Sequence, residues 1–289
     1  MMPQSPSPTL DLLVVGGMTI DRFADGSSTP GGSVIHVARA LTARGRTVGV
    51  VTAAGAEPEA QRGLAELRRC CALVDLVVHP QTATFRHGET DGRRSLWLEG
   101  AGGPVALGPE ARDRIRTAAV LYAPIAGEVM PGALRVWDER WPRAAILQGW
   151  LRSVATGEIQ GRPLGDLAVD LVAALRKLDV LVASRDDLLA DADEPHRQLH
   201  ALRARFGPRP ILVVTDGADG LWLDAPGKRP ASDWREHLSV PFVVDDPAAV
   251  GAGDILAAHL AMRGGRDGDW RDQVRQSMQA VAETLAARR

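Results

Sequence analysis

Three features of the sequence predict an α/β fold built on a doubly wound, mostly parallel sheet. Apolar runs of strand length alternate with patterns of helical period over most of the 289 residues. The first run, Leu10–Val15, is apolar as expected of a strand that is covered on both faces. Hydrophobic residues make up 45% of the chain, enough for the core of one large domain. We therefore expect a disordered tail over residues 1–9 and a single domain over residues 10–289.

The first part of the domain alternates strands with helices. The helix Ser33–Arg44 carries apolar side chains at helical spacing and stops at Gly45. The strands predicted here are Leu10–Val15, Val48–Thr52 and Leu73–Val78, and the second helix is Glu57–Arg69. Strands joined through helices in this way lie parallel in one sheet.

A hairpin interrupts this alternation. Thr82–His87 and Arg94–Leu98 both alternate polar and apolar residues, and Asp91-Gly92 between them is a hairpin turn signal. We expect this pair to stand off the main sheet as a small lid over about residues 82–98.

The remaining elements continue the α/β pattern. The predicted strands are Val120–Ala123, Ala145–Leu147, Val180–Ala183 and Ile211–Thr215, with helices at Ala133–Arg140, Leu167–Lys177 and Pro195–Phe206. Leu221–Leu223 and Val240–Val244 are expected to form an antiparallel pair. A helix from Asp254 and an amphipathic helix over Trp270–Arg288 end the chain.

Charge and composition exclude several classes of partner. The net charge of −2 gives no support for binding to nucleic acid or to an anionic membrane. No apolar run approaches the roughly 20 residues that span a bilayer, and the N-terminus has no basic start or apolar signal core. Cys70 and Cys71 are adjacent, which suits ordinary thiols of a reducing compartment. We expect a soluble cytoplasmic protein.

The segment Gly251-Ala252-Gly253-Asp254 is the strongest functional signal. Small residues before a helix leave backbone N–H groups open at the positive end of the helix dipole, which favours an anion or a transferring phosphoryl group. The carboxylate of Asp254 lies beside this cradle, where a general base would take a proton from a hydroxyl nucleophile. The alternative is that small residues begin the helix for packing reasons.

Further candidates follow the first strand. Ligands bind at the carboxyl ends of strands in such a sheet. Asp21 is placed to accept hydrogen bonds from substrate hydroxyls, or is a capping residue in a loop. The glycine pair Gly31-Gly32 allows a ligand to approach the backbone, or forms a simple turn. His36 would face the same cleft if its helix begins at Ser33, or is structural.

Two later strand ends carry donor candidates. Thr215, Gly217 and Gly220 lie where a strand runs into a glycine-punctuated turn, beside the ribose and phosphates of a nucleotide or in a plain β-turn. Asp187 follows another strand and is a candidate magnesium group acting through water, because Mg²⁺ beside ATP takes one or two carboxylates. Its alternative role is an acid at a helix N-terminus.

The set resembles the ribokinase-like (phosphofructokinase-B) family of carbohydrate and nucleoside kinases, from about Leu10 to the final helix. The matching segments occur in the family's order: Asp21 after a strand, Gly31-Gly32 before a helix, the flap Thr82–Leu98, the strand end Ser184–Asp187, Thr215-Asp216-Gly217, and Gly251–Asp254 before a helix.

The resemblance implies an α/β/α sandwich with a small β lid and the use of Mg²⁺ and ATP, with a monovalent cation as a further possible requirement. By this resemblance Asp254 is the catalytic base, and Gly251, Ala252 and Gly253 form the anion hole. Asp21, Gly31 and Gly32 would contact the acceptor. Ser184, Thr215, Gly217 and Gly220 would lie along the ATP.

The sequence departs from the family pattern at two places. Ala248 and Ala249 stand where the family has Asp-Thr, with Asp245 and Asp246 just upstream. Ser184-Arg185-Asp186-Asp187 stands for Asn-x-x-Glu, which keeps an acid but loses the amide. These departures leave open a relative that binds a ligand without catalysis.

The acceptor is expected to be a polyhydroxylated small molecule. Gln148-Gly149-Trp150-Leu151-Arg152 is similar to a segment of the myo-inositol kinase branch, and Arg152 would hold a phosphate or face solvent. Asp21, His36, Arg86 and Gln148 suit a polyhydroxylated ring better than a flat base. The leading hypothesis is an ATP-dependent sugar or cyclitol kinase. A nucleoside kinase, in which Trp97 would stack on the base, is the alternative, and the lid offers a face for a homodimer.

Overall fold

The structure, a computed structural model, describes residues 9–90, 93–105, 107, 114–137, 141–152, 155–188, 194–225, 234–244, 250–264 and 269–287. The predicted turn Asp91-Gly92, the residues Asp245, Asp246, Ala248 and Ala249, and the tail before Thr9 lie outside these ranges.

A nine-stranded sheet forms the centre of the domain. Its strands, in chain order, are β1 (Leu12–Val15), β4 (Val48–Ala54), β5 (Leu73–Val78), β8 (Val120–Tyr122), β9 (Arg143–Ile146), β11 (Val180–Ser184), β12 (Ile211–Thr215), β13 (Leu221–Ala225) and β14 (Trp234–Leu238). In space the order is β14-β13-β12-β11-β9-β8-β1-β4-β5. The seven strands from β12 to β5 pair in parallel, and β13 and β14 are antiparallel. The mostly parallel α/β sheet is therefore confirmed.

Helices cover both faces of this sheet. They are α1 (Ser33–Thr42), α2 (Pro58–Cys70), α3 (Val169–Leu175), α4 (Pro195–Phe206), α5 (Ala252–Arg263) and α6 (Trp270–Ala286) within the described residues. Alternate residues of β1 serve two cores: Leu12 and Val14 pack with α1, α2, α5 and α6, whereas Leu13 and Val15 pack with α3 and α4. This two-sided burial is the reason that β1 reads as an apolar run.

The order in which the chain adds strands to the sheet reverses at β1. From β1 the chain builds outward through β4 to β5, and then returns to β8 on the other side and continues to β12. Such a switch point opens a crevice at the carboxyl ends of the strands. Gly16 lies at this crevice. The position requires glycine, because a Cβ would overlap the carbonyl oxygen of Ala123.

A second sheet of five strands forms the lid. It contains β2 (Thr19–Arg22), β3 (Ser28–Gly31), β6 (Ala83–Thr90), β7 (Arg93–Gly100) and β10 (Gly157–Glu158), in the order β10-β7-β6-β2-β3. The predicted hairpin is present as β6 and β7. β2, β3 and β10 were not predicted, because these short strands lack both an apolar run and a long alternation. Asp21 therefore lies on a lid strand and not in a loop.

Two predicted elements are wrong. The partner of β13 is Trp234–Leu238, and Val240–Val244 forms no strand. β14 is an edge strand, so its polar sequence gave no apolar signal, whereas Pro241 in the apolar segment lacks a ladder donor. In the predicted helix Ala133–Arg140, the described residues show only a 3₁₀ turn at Ala133–Arg135.

Among the described residues, no helix is both long enough and apolar enough to cross a membrane.

Candidate active site

The glycine turn before α5 forms the floor of the candidate site. Gly251 has φ 87°, and a Cβ there would lie 2.6 Å from Cγ of His36, so only glycine fits comfortably. A Cβ added at Gly253 meets nothing within 4 Å. There is therefore open space beside Gly253 in the first turn of α5, where an anion site at a helix N-terminus would be expected.

Asp254 lies in the first turn of α5, and its carboxyl group is held from the neighbouring helix. Ser33 Oγ donates to Asp254 Oδ1 at 2.8 Å. Burial raises the pKa of Asp254, while His36, the Ser33 hydrogen bond and Arg152 act in the opposite direction. The result is a carboxylate suited to accept a proton and surrounded by groups that favour its charged form.

Ser33 was not predicted from the sequence. It is the first residue of α1, it is 1% exposed, and it follows Gly32, whose φ of 91° and close approach to the carbonyl oxygen of Gly17 fit only glycine. The available signal was a hydroxyl residue directly after a glycine pair at a helix start. The Ser33 hydroxyl thereby reaches Asp254, 221 residues away in sequence.

The acceptor candidate Asp21 lies on the inner face of the lid. Thr19 Oγ1 donates to Asp21 Oδ1 at 3.0 Å, and His87 Nε2 lies 3.5 Å from the same oxygen. A Cβ at Gly31 would overlap the Asp21 carboxylate. Phe23 stacks on His87, with ring centroids 5.0 Å apart. His87 was also missed, although strand alternation over β6 was its available signal.

The glycine pair Gly31-Gly32 lies between the segments that position Asp21 and Asp254. Gly31 packs on Asp21, and Gly32 begins the helix that positions Ser33 and His36. The structure therefore brings the predicted acceptor residues Asp21, Gly31, Gly32 and His36 to the same side as Asp254.

Arg152 and Gln148 reach the site from a turn after β9. Arg152 Nη2 lies 3.5 Å from Asp187 Oδ1, and the two side chains are only 15% and 12% exposed. The Gln148 amide, with its oxygen turned toward Arg152, accepts from Nη1 at 3.0 Å. Burial raises the pKa of Asp187, and the charge of Arg152 opposes this effect. Arg152 is thus turned into the protein rather than toward solvent.

The donor candidates lie at the ends of β11 and β12. Ser184 and Thr215 are paired residues of these strands. Arg185 and Asp216, which follow them, form an ion pair at 3.0 Å that joins the two loops. A Cβ at Gly217 would meet nothing within 4 Å, and its φ is 55°.

Gly220 has a separate structural reason to be glycine. Its φ is 108°, and a Cβ there would overlap the carbonyl oxygen of Leu238 on β14. The close approach of these two strands explains the residue, and a contact of Gly220 with a donor stays a prediction.

The expectation that Arg86 faces the cleft is wrong. Arg86 alternates with Phe85 and His87 along β6, so it points to the opposite face of the lid from His87. There its Nε lies 3.0 Å from Glu99 Oε1, and its guanidinium covers the ring of Trp97 at 4.3 Å. Trp97 is therefore engaged on the outer face, which also weighs against stacking on a nucleobase acceptor.

The described residues do not fit a magnesium site made by the protein alone. They contain no group of three or more His, Cys, Asp or Glu side chains placed to hold a metal ion. The predicted ligand Asp187 is ion-paired with Arg152. Mg²⁺ commonly keeps water and binds through donor phosphates with one or two carboxylates. A magnesium role for Asp187 therefore stays a prediction against which this ion pair weighs.

Solved structures of the same fold cover nearly the whole chain. A pyrophosphate-dependent kinase in the ribokinase family, complexed with a pyrophosphate analogue and myo-inositol, aligns with a TM-score of 0.72 at 18% identity over 95% of each chain. A ribokinase from Arabidopsis thaliana, complexed with ribose and ATP, aligns with a TM-score of 0.68 at 15% identity over 96% of this chain and 99% of that chain. A putative ribokinase from Agrobacterium tumefaciens aligns with a TM-score of 0.64 at 17% identity over 97% and 98%.

No protein-family model and no curated protein matches the sequence. The structural similarity shows that the chain has the ribokinase-type kinase fold, as the order of its motifs predicts. The resemblance is thus confirmed at the level of the fold.

Proposed function

We propose that the protein is a kinase that phosphorylates a hydroxyl group of a sugar or cyclitol. The observation that carries this proposal is the placement of Asp254. Its carboxyl group lies in the first turn of a helix with open space beside Gly253, and it accepts a hydrogen bond from Ser33, which directly follows Gly31-Gly32. A base and an anion hole facing one cleft are what transfer to a hydroxyl needs.

In the proposed reaction, Asp254 takes the proton of the acceptor hydroxyl. The resulting oxygen attacks the terminal phosphorus of the donor, and the bond to the bridging oxygen breaks with its electrons leaving on the donor product. The amides of Gly251–Gly253 stabilise the charge on the transferred group. Asp21 and His36 orient the acceptor, and Gln148 contributes a further polar group.

ATP is the proposed donor, lying along Ser184, Thr215 and Gly217. The Arabidopsis ribokinase of the same fold was crystallised with ATP. A magnesium ion would enter with the donor phosphates and neutralise part of their charge. A stimulation by K⁺ over Na⁺ would support the predicted monovalent-cation requirement.

Pyrophosphate is a second candidate donor. The similar kinase complexed with myo-inositol is pyrophosphate-dependent. Arg152, paired with Asp187, and Arg185, paired with Asp216, provide positive charge at the proposed donor side. Neither contact requires an adenosine group, so both donors belong in the first assay.

The experiment is a matrix of donors and acceptors followed by ³¹P NMR. ATP and pyrophosphate are each combined with pentoses, hexoses, inositols and nucleosides in the presence of Mg²⁺. A new phosphomonoester with a sugar or inositol supports the proposal. Product with nucleosides alone would establish the nucleoside kinase alternative. Binding of one compound, measured by thermal stabilisation, without product from any donor would favour a relative that binds without catalysis.

The proposed location is the cytoplasm, and a homodimer through the lid also stays a proposal. The outer face of the lid carries Arg22 and Arg86 on either side of Glu99. Light scattering tests this directly: a mass of two chains that falls to one in Trp97→Glu supports pairing through this face, and a mass of one chain in the wild type contradicts it.

A further inference from the structure

Arg152 and Asp187 form a charge pair that the proposed reaction has not yet used. Taking two charges out of water costs several kcal/mol for each ion, so such a pair is weak evidence for stability. Its nitrogen and oxygen are 3.5 Å apart, and the two side chains are only 15% and 12% exposed. The charge of Arg152 acts on Asp254 as well as on Asp187, so its function should be sought beside Asp254.

The backbone around Arg152 is firmly held. Trp150 donates from its indole nitrogen to the carbonyl oxygen of Val129 at 3.0 Å, and Leu151 is 1% exposed. Arg152 itself forms a bridge with Gly161, beside the hydrogen bond from Arg162 N to Leu151 O. A side chain on such a support is positioned accurately, as a group that contacts a reacting phosphate must be.

The same guanidinium acts on both buried carboxyl groups. Its charge lowers the pKa of Asp187 and of Asp254, against the effect of burial on each. The charge of Asp254 also raises the pKa of Asp187. Arg152 is thus ion-paired with the acid that stands for the family's Asn-x-x-Glu glutamate, and its charge also acts on the proposed base.

Asp187 is paired with the guanidinium of Arg152. An arginine fork offers five N–H donors in a plane and matches the oxygens of a phosphate group better than a point charge does. A guanidinium beside the base would contact the phosphoryl oxygens as the proton leaves the acceptor. Asp187 and Gln148, on the same guanidinium, would fix its orientation.

We propose that Arg152 is a catalytic residue that binds the transferring phosphoryl group, and that Asp187 positions this guanidinium instead of holding a metal ion. The inference rests on the proposed kinase function. It adds charge stabilisation on the oxygens of the transferred group, while the bonds formed and broken are those of the reaction above.

The variants Arg152→Gln, Arg152→Lys and Asp187→Asn test the pair, and Arg209→Gln is the matched control. Arg209 forms a similar ion pair with Asp179 at 3.5 Å. Asp179 directly precedes β11, so this pair lies at the opposite end of the strand from Ser184 and the candidate site. The unfolding temperature of each variant establishes that it is folded before activity is compared. Arg152→Lys keeps the charge and loses the fork, so it serves if the glutamine variant is unfolded.

In turnover assays we expect Arg152→Gln to lower kcat at least 100-fold, with KM for the acceptor within about twofold, and Asp187→Asn to lower kcat about tenfold. The acid limb of the rate profile should move to higher pH in Arg152→Gln, because the charge that lowers the pKa of Asp254 is gone. The Mg²⁺ concentration for half-maximal rate should stay unchanged in Asp187→Asn. A severalfold rise in that concentration, with Arg152→Gln fully active, would overturn the proposal.

A binding measurement separates this inference from the proposed function. Inorganic phosphate is titrated calorimetrically into the wild type and each variant without any acceptor. We expect binding to weaken at least tenfold in Arg152→Gln and to stay unchanged in Arg209→Gln. If the wild type turns over no acceptor, this comparison alone decides, and equal or undetectable phosphate binding in the wild type and Arg152→Gln would overturn the assignment.

Discussion

Ser33 donates a hydrogen bond to Asp254 across the candidate site, and the two residues lie in the first turns of different helices. The oxygen–oxygen distance is 2.8 Å, although 221 positions separate the residues in sequence. The bond ties the start of α1, after Gly31-Gly32, to the first turn of α5, after Gly251. The two glycine turns are therefore linked through Asp254, the proposed base.

Removal of the Ser33 hydroxyl should impair the base without unfolding the protein. We expect Ser33→Ala to lower kcat about 10- to 100-fold, because a hydrogen bond to an ionised group contributes about 1.5–3 kcal/mol. Ser277→Ala is the control, since Ser277 is equally buried and its hydroxyl bonds to Gln273 O on α6. Equal kcat values for the two variants, measured at saturating substrates, would show that Ser33 does not act through Asp254.

The activity should depend on pH through Asp254. Burial raises the pKa of this carboxyl group above its ordinary value of 3.8, and a general base works only when deprotonated, so kcat/KM should rise with pH through a pKa above 3.8. In His36→Gln the limb should move to higher pH, because His36 lowers this pKa. Measured profiles with identical limbs in both proteins would contradict the effect of His36 on the pKa of Asp254.

A substitution at Gly253 should lower turnover without lowering stability. An alanine Cβ at this helical position meets nothing within 4 Å, and alanine favours a helix by up to about 1 kcal/mol over glycine. We therefore expect Gly253→Ala to match or exceed the wild type in unfolding temperature. Its turnover should fall at least 100-fold, since the methyl group fills the space that the phosphoryl group needs. Wild-type turnover in a stable Gly253→Ala protein would place the anion site elsewhere.

His259 should make the stability of the fold sensitive to mild acid. It lies in α5 at 7% exposure, and burial, followed by Arg263, Arg44 and Arg46, lowers its pKa from 6.5 to about 4. Between these values the unfolded chain binds more protons than the folded chain, so the free energy of unfolding falls as pH falls, by roughly 3 kcal/mol at most.

Urea unfolding at pH 6.5 and pH 5 measures this effect. The loss of stability between these values should be smaller in His259→Leu than in the wild type, because leucine fills the site without titrating. The same loss in both proteins would show that His259 does not provide the pH dependence.

The sheet could be predicted from the sequence where burial is two-sided. β1, β4 and β12 are apolar runs because helices cover both of their faces, and this pattern is readable without a structure. The short lid strand Thr19–Arg22 pairs with β3 and β6, and its four residues are too few to show an alternation. β14 is polar because it is an edge strand, so the apolar segment after it was chosen instead.

The candidate site was predictable where the backbone requires a special residue. The sequence shows glycines directly before two predicted helices, at Gly32 and Gly251, and Asp254 follows the second of them. Ser33 and His87 depend on which side chains meet after folding, which spacing alone does not reveal. The side chain of Arg86 was expected to face the cleft, but adjacent residues of a strand point to opposite faces of the sheet.

The central claim is that Asp254 is the base of a phosphoryl transfer to a small-molecule hydroxyl. Its most direct test is the rate of phosphomonoester formation by the wild type and Asp254→Asn, measured by ³¹P NMR with the best donor and acceptor. We predict product with the wild type and a rate lower by roughly 10²–10⁴-fold in Asp254→Asn, at an unchanged unfolding temperature. Equal rates for the two proteins would contradict the claim.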